Sequence, residues 1–274
     1  MNAIDQTFAQ LRREERAALM PFLTVGDPDP DTSLQLICEL EAAGADIVEL
    51  GVPYSDPLAD GPVIQRASER ALAHGITLLD CIAIARQARE KGVKMPFVLF
   101  SYYNPVLQLG LDRLIEEARQ ADISGMIIPD LPYEEDGPVR DALAQAGLYL
   151  IPLVAPTSRE RIHRIVSRAS GFIYCVSSLG VTGVREHFEQ ETDMFLRTVK
   201  EATDLPIAIG FGISNAEHVA RFAQICDGVI VGSAIVRKIE ENLTRLKSER
   251  EEDKREGLRE VHLFVQELCS GLKR

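Results

Sequence analysis

Short apolar runs rich in β-branched and aromatic residues alternate along the chain with longer stretches whose apolar residues recur every three or four positions. The short runs fall at 19–24 (LMPFLT), 46–50 (DIVEL), 96–101 (PFVLFS), 125–128 (GMII), 148–154 (LYLIPLV), 171–176 (GFIYCV), 206–210 (PIAIG) and 228–231 (GVIV), and they predict eight strands. The longer stretches at 31–43, 111–120, 135–146, 158–169, 191–202 and 214–224 predict amphipathic helices. Capping signals open several of them: Asp31 or Thr32, Ser158 before Glu160 and Arg161, and Ser214 with Glu217 three positions on. Eight β-then-α units imply a parallel sheet covered by helices. An open doubly wound sheet is one solution. Closure into a (β/α)8 TIM barrel fits 274 residues better, as one domain spanning 1–274.

Three further segments fall outside the eight repeats. The N-terminal MNAIDQTFAQLRREERAALM predicts a short amphipathic helix and lacks the apolar core of a signal peptide. The connection between the second and third strands holds PVIQRASERALAHG before LLDCIAIARQAREKG, room for an additional helix. Near the C-terminus Leu258, Val261, Val265 and Leu268 share one helical stripe. That stripe fits a terminal helix docked on the barrel better than a partner-binding tail, because its other face is dense in charge of both signs.

Charge and composition narrow the function. A net charge of -12 argues against nucleic acid as a partner, yet leaves room for a phosphorylated metabolite held by backbone amides. No apolar run approaches the roughly 18 residues of a membrane span. The five cysteines are odd in number and show no CxxC spacing, which favours reduced thiols in a cytoplasmic protein over a disulfide framework or zinc site.

In such a barrel the chemistry belongs at the C-terminal ends of the strands. Strand alternation puts Val48 and Leu50 against the helices and turns Glu49 into the lumen, where burial raises a carboxyl's pKa toward the range a general acid/base needs. A structural ion pair is the alternative role. Asp56 and Asp60 follow in GVPYSDPLADGP, a loop stiffened by prolines 53, 57 and 62. Asp60 can return to the site as a second carboxylate, although loop aspartates more often form turns. Glycine-rich segments follow the last three strands: GVTG at 180–183, GFGIS at 210–214, and Gly232-Ser233 leading into AIVRKIE. Backbone amides of Gly183, Gly212, Gly232 and Ser233 at these ends predict a phosphate cradle. Phe22, Phe100, Tyr102, Ile127, Leu153, Tyr174 and Phe211 sit at or near strand ends; each alone reads as core, and together they suit a slot for a flat ring.

VELGVPYSDPLADGPVIQ at 48–65 resembles the second-strand motif of the tryptophan synthase α-chain family, and PFVLFSYYNPV, GMIIPDLPYEE, YCVSSLGVTG, IAIGFGIS and VIVGSAIV resemble further family motifs in the same order. The resemblance implies a carbon–carbon lyase that splits indole-3-glycerol phosphate into indole and D-glyceraldehyde 3-phosphate. It implies Glu49 as catalytic acid/base and Asp60 as second catalytic carboxylate. Phe22, Phe100, Tyr102, Ile127, Leu153 and Tyr174 would line the ring pocket, with Tyr174 beside the reacting glycerol. Gly183, Phe211, Gly212, Gly232 and Ser233 would hold the phosphate, and Thr182 would meet the acidic loop on closure. Leu179 occupies a loop position that varies in the family. The same resemblance implies no cofactor in this chain, an α2β2 partnership with a pyridoxal-phosphate β subunit that receives the indole, and Pro53 and Asp56 in the loop facing it. Three other readings share parts of the pattern: a sugar-phosphate isomerase or synthase, a free-standing indole-producing lyase, and an activating subunit without catalysis. The first would not call for both Glu49 and Asp60, high turnover by the isolated chain would mark the second, and retention of both carboxylates argues against the third.

Overall fold

The computed structural model describes residues 1–158, 161–176, 185–210 and 212–272, with the backbone alone at 185–189. The strands are β1 (Ala18–Thr24), β2 (Val48–Gly51), β3 (Phe97–Phe100), β4 (Ile123–Ile127), β5 (Tyr149–Leu150), β6 (Leu153–Val154), β7 (Ile173–Val176), β8 (Ile207–Gly210) and β9 (Gly228–Val231). Their order is β5-β4-β3-β2-β1-β9-β8-β7-β6, every pair parallel. The expected strand 148–154 is split, and the split closes the barrel. Tyr149 and Leu150 pair with β4, and the Ile151 amide still donates to Met126 at 2.8 Å. Pro152 has no amide to give, but its carbonyl accepts from Tyr174 at 3.0 Å, and Leu153 and Val154 pair with β7. One extended segment thus joins both sheet edges, giving the eight-stranded (β/α)8 barrel.

The helices that matter for the site are α1 (Ala3–Arg13), α2 (Pro30–Ala42), α3 (Pro62–Ala73), α4 (Leu78–Glu90), α5 (Tyr103–Leu109), α6 (Leu111–Gln120), α7 (Gly137–Gln145), α8 (Ile162–Val166), α9 (Arg185–Ala202), α10 (Ala216–Ala223), α11 (Ser233–Glu241), α12 (Leu243–Leu246) and α13 (Glu251–Cys269). Three caps differ from expectation. Asp29 caps α2 by accepting from the Thr32 amide at 2.8 Å, because Pro30 at the first helical position moves the start forward. Asn215, rather than Ser214, caps α10 through the His218 amide at 2.8 Å. Ser158 ends a 3-10 turn and its hydroxyl serves the Ala155 amide, so α8 begins later and is much shorter than 158–169.

Two cores separate by strand parity. Leu19, Leu23, Val48, Leu50, Leu99 and Met126 face the helices, while Ala18, Met20, Ile47, Val98, Tyr174 and Ile230 face the barrel interior. Helix α1 plugs the N-terminal mouth: Ile4, Phe8 and Leu11 join the interior cluster, and Phe8 meets Phe172 at 5.8 Å between ring centroids. Its start is fixed by an Asn2–Asp5 capping box and by the Asn2 amide group, which donates to the Ser124 and Gly147 carbonyls. Helix α13 docks its Val261, Val265 and Leu268 into the outer core, so the terminal stripe is covered by the barrel itself. With one mouth plugged, the opposite one is left for function.

Candidate active site

At the C-terminal mouth lies a cavity of about 690 Å³, within the size range of small-molecule sites. Glu49 forms part of its wall. Register pairs it with Phe22 on β1 and Val98 on β3, so all three point inward, and its residue is 1% exposed. No described group donates to its Oε1. Burial alone pushes the carboxyl well above the usual carboxylate range. This is an environment that favours the protonated carboxyl and leaves Oε1 without a fixed partner.

Asp60 reaches the same cavity from the loop that connects β2 to α3. Burial raises its pKa too, and a hydrogen bond with Tyr102 pulls it partly back. Tyr102 organises this loop: its hydroxyl accepts from the Ala59 amide at 2.9 Å, and its ring stacks on Tyr54 at 5.0 Å. Removing that hydroxyl in Tyr102→Phe should raise the Asp60 pKa further, because the lost bond is the one that lowers it. The expected result is a several-fold loss of activity, about one hydrogen bond's worth, with the acid limb of the pH–rate profile moved upward; an unmoved limb would remove Tyr102 from this role.

Apolar groups line the space between. Phe22 and Phe100 meet edge to face, with centroids 5.6 Å apart at 84°. Both line the cavity with Leu153, Tyr174 and Ile64. Gly51 makes the pair possible, since a Cβ there would run into the Phe22 ring. Gly210 plays the same part for Tyr174, whose hydroxyl occupies the place a side chain would take. Burial raises the Tyr174 pKa well above its ordinary value, reinforced by Glu49 and Asp60.

The same cavity is lined by Gly212, Ile213, Ser214, Gly232, Ser233 and Ala234. Gly212 has φ +73, a conformation that penalises any side chain. Gly232 caps α11, its carbonyl taking the Ile235 and Val236 amides at 2.9 and 3.1 Å. The Ser233 and Ala234 amides precede the first of these bonds, and both residues line the cavity at the positive end of the helix dipole. Helix α11 is tied to α3 by an ion network: Glu240 accepts from Arg66 and Arg70, and Arg70 reaches on to Asp27 at 2.6 Å. Chiefly through Arg66, the Glu240 pKa is held down to about 2. The helix that follows the acidic loop and the helix that begins at Gly232 are therefore locked to one another.

The sequence-predicted residues Phe22, Glu49, Asp60, Phe100, Leu153, Tyr174, Gly212, Gly232 and Ser233 all line this one cavity. Two ring-pocket residues do not. Ile127 packs within the barrel interior, and Tyr102 is 2% exposed, turned onto the acidic loop. Pro53 is buried within the chain, which leaves it as a stiffener of the loop, whereas Asp56 is exposed. Thr182, Gly183 and Phe211 lie outside the described residues. Ile64, Pro129 and Arg237 line the cavity without having been singled out. Helical spacing offered a signal for two of them: Ile64 precedes the buried Ala67, Ser68 and Ala71 by three, four and seven positions, and Arg237 follows Ser233 by four.

The comparison with known proteins bears on this arrangement. A family profile, tryptophan synthase alpha chain, matches residues 8–269. The tryptophan synthase alpha chain of Geobacillus kaustophilus is 52% identical over 255 residues, covering 93% of this chain and 94% of its own. Among solved structures, tryptophan synthase subunit alpha of Legionella pneumophila superposes with TM-score 0.89 at 37% identity, covering 99% of this chain and 98% of that one. A chain from the aminoacrylate-bound tryptophan synthase of M. tuberculosis gives 0.85 at 34% identity, with both chains fully covered. By sequence along nearly its whole length and by fold, this chain belongs to the tryptophan synthase alpha chain family.

Proposed function

We propose that the cavity cleaves indole-3-glycerol phosphate to indole and D-glyceraldehyde 3-phosphate, with Glu49 as acid and base and Asp60 as its electrostatic partner. One observation carries the residue assignment: a buried glutamate whose Oε1 has no partner, the glycines at the ends of β8 and β9, and the Phe22 and Phe100 rings all line a single cavity.

The lyase chemistry follows from those positions. Glu49, protonated because it is buried, gives its proton to indole C3, which becomes tetrahedral while positive charge develops on the ring. Asp60, the less deeply buried carboxylate, stabilises that charge and takes the N1 proton. The C3–C3′ bond then breaks, its electron pair returning to the ring to restore aromaticity as N1 regains its proton. The C3′ hydroxyl becomes the aldehyde and its proton returns to the Glu49 carboxylate, which resets the acid. Tyr174 borders the glycerol carbons, Phe22, Phe100 and Leu153 hold the ring, and Gly212, Gly232 and Ser233 bind the phosphate. Electrons flow into the protonated indole, so side chains suffice, and the pyridoxal phosphate of the complete synthase belongs to the β subunit.

In the same reading residues 1–274 act as one cytoplasmic domain, assembled with the β subunit as α2β2. Support comes from the exposed Asp56 and Leu58 beside the active-site loop, the latter 90% exposed, and from the likeness to a chain of the M. tuberculosis synthase. No described helix is long and apolar enough to cross a membrane.

The direct test is to supply purified chain with indole-3-glycerol phosphate and measure indole and triose phosphate together. Equal amounts of the two products are expected, with faster turnover once β subunit is added. Ring-opened or isomerised sugar phosphate without indole would favour the isomerase reading. Within the cradle, Gly212→Val should weaken glycerol 3-phosphate binding by about tenfold or more, since it adds strain at positive φ as well as bulk; unchanged affinity by calorimetry would move the phosphate elsewhere.

A further inference from the structure

We infer that Arg237 is a substrate-specificity residue: a side-chain cation that closes on the phosphate from the second turn of α11 and makes the site selective for a dianion over neutral analogues. The inference rests on the proposed phosphate cradle and adds to it a charge that backbone amides do not supply.

Three observations place it. First, Arg237 lines the cavity together with Gly232, Ser233 and Ala234. It stands four positions after Ser233 on the same helical stripe, and long helical side chains lean toward the N-terminus, here toward the cradle. Second, Lys238 and Glu240 on α11 are engaged and Arg237 is not. Lys238 bonds Glu260 at 2.9 Å, and Glu240 is held by Arg66 and Arg70. Arg237 makes no ion pair or hydrogen bond with any described residue. Glu241, four positions further on and on the same stripe, makes no ion pair with it. Third, the cavity needs a positive charge. Glu49 and Asp60 are its acidic side chains, and among the described lining residues Arg237 is the one cation. An anion entering a chain of net charge -12, toward the Asp60 carboxylate, meets a negative field against which amide dipoles set only partial charges. A guanidinium offers two parallel N–H donors to phosphate oxygens and stays charged at any working pH.

Calorimetric titration of wild type, Arg237→Ala and Arg237→Lys with glycerol 3-phosphate and, separately, with indole tests this. The alanine variant should lose about tenfold in glycerol 3-phosphate affinity, the size of one charge-assisted hydrogen bond at an accessible site, with indole affinity at the wild-type value. Lysine should recover part of the loss, as a point charge without the bidentate fork. Added salt should weaken wild type more than the alanine variant. Wild-type affinity for glycerol 3-phosphate in Arg237→Ala overturns the inference, and so does an equal loss for both ligands, which would mark a distorted pocket. If the wild-type chain itself fails to bind glycerol 3-phosphate, the cradle falls and this inference with it.

Discussion

Glu49→Gln is expected to lower the rate of indole release by about a thousandfold or more, because one residue supplies two proton transfers, each worth on the order of a hundredfold or more. Glutamine keeps the shape and removes the proton, so the lesion is chemical. Binding of glycerol 3-phosphate, at the other end of the cavity, should persist. The same variant is expected to be more stable than wild type. Burial lifts the folded-state pKa of Glu49 well above that of a free glutamate, so folding disfavours its charged form. The sign is that of a raised pKa: the wild-type chain carries no penalty below about pH 4.5, and loses stability as pH rises toward the folded pKa. Thermal unfolding of the two proteins should therefore coincide near pH 4 and diverge above it, with the glutamine variant melting higher. A gain of about 1 kcal/mol, the low end for relieving an unpaired buried polar group, corresponds to roughly 2–4 °C in a chain of this size. A variant that is inactive and also destabilised at neutral pH would point to a structural Glu49.

Asp60→Asn is expected to cost about a hundredfold in turnover, the order of magnitude for losing one preorganised group that stabilises developing charge. Its pH signature is distinct. Asp60 works ionised, so activity should fall as pH drops through its raised pKa; Glu49 works protonated, so activity should fall as pH climbs through its own, higher one. The wild-type profile is then a bell, and the asparagine variant should keep the alkaline limb and lose the acidic one. A profile whose acidic limb survives the substitution would assign that limb to another group.

Much of this was legible in the chain itself, for physical reasons that differ by residue. Glu49 was readable because a strand has period two: with Val48 and Leu50 committed to the helices, the residue between them has nowhere to point but inward. Gly212, Gly232 and Ser233 were readable because glycine at a strand end and a helix start leaves a recognisable composition. Tyr102 was misplaced because its position after β3 fixes its neighbourhood and not its direction; the Asp60 loop, which it props from behind, is a tertiary partner no local pattern reveals. Pro152 was equally opaque. It falls inside what reads as one strand at 148–154, and it is the hinge at which hydrogen bonding passes from β4 to β7. The cap of α2 went to Asp29 because the proline beside it outweighs the residue that follows. Arg237 was not singled out, since only the folded mouth shows that it lines the cavity.

The crystal structure of Glu49→Gln with indole-3-glycerol phosphate bound is the measurement closest to the central claim. The account predicts one substrate molecule spanning the mouth, its phosphate on the amides of Gly212, Gly232 and Ser233, its indole against Phe22 and Phe100, and C3 within hydrogen-bonding reach of residue 49. A phosphate bound elsewhere, or an indole ring outside the barrel with residue 49 untouched, would contradict it.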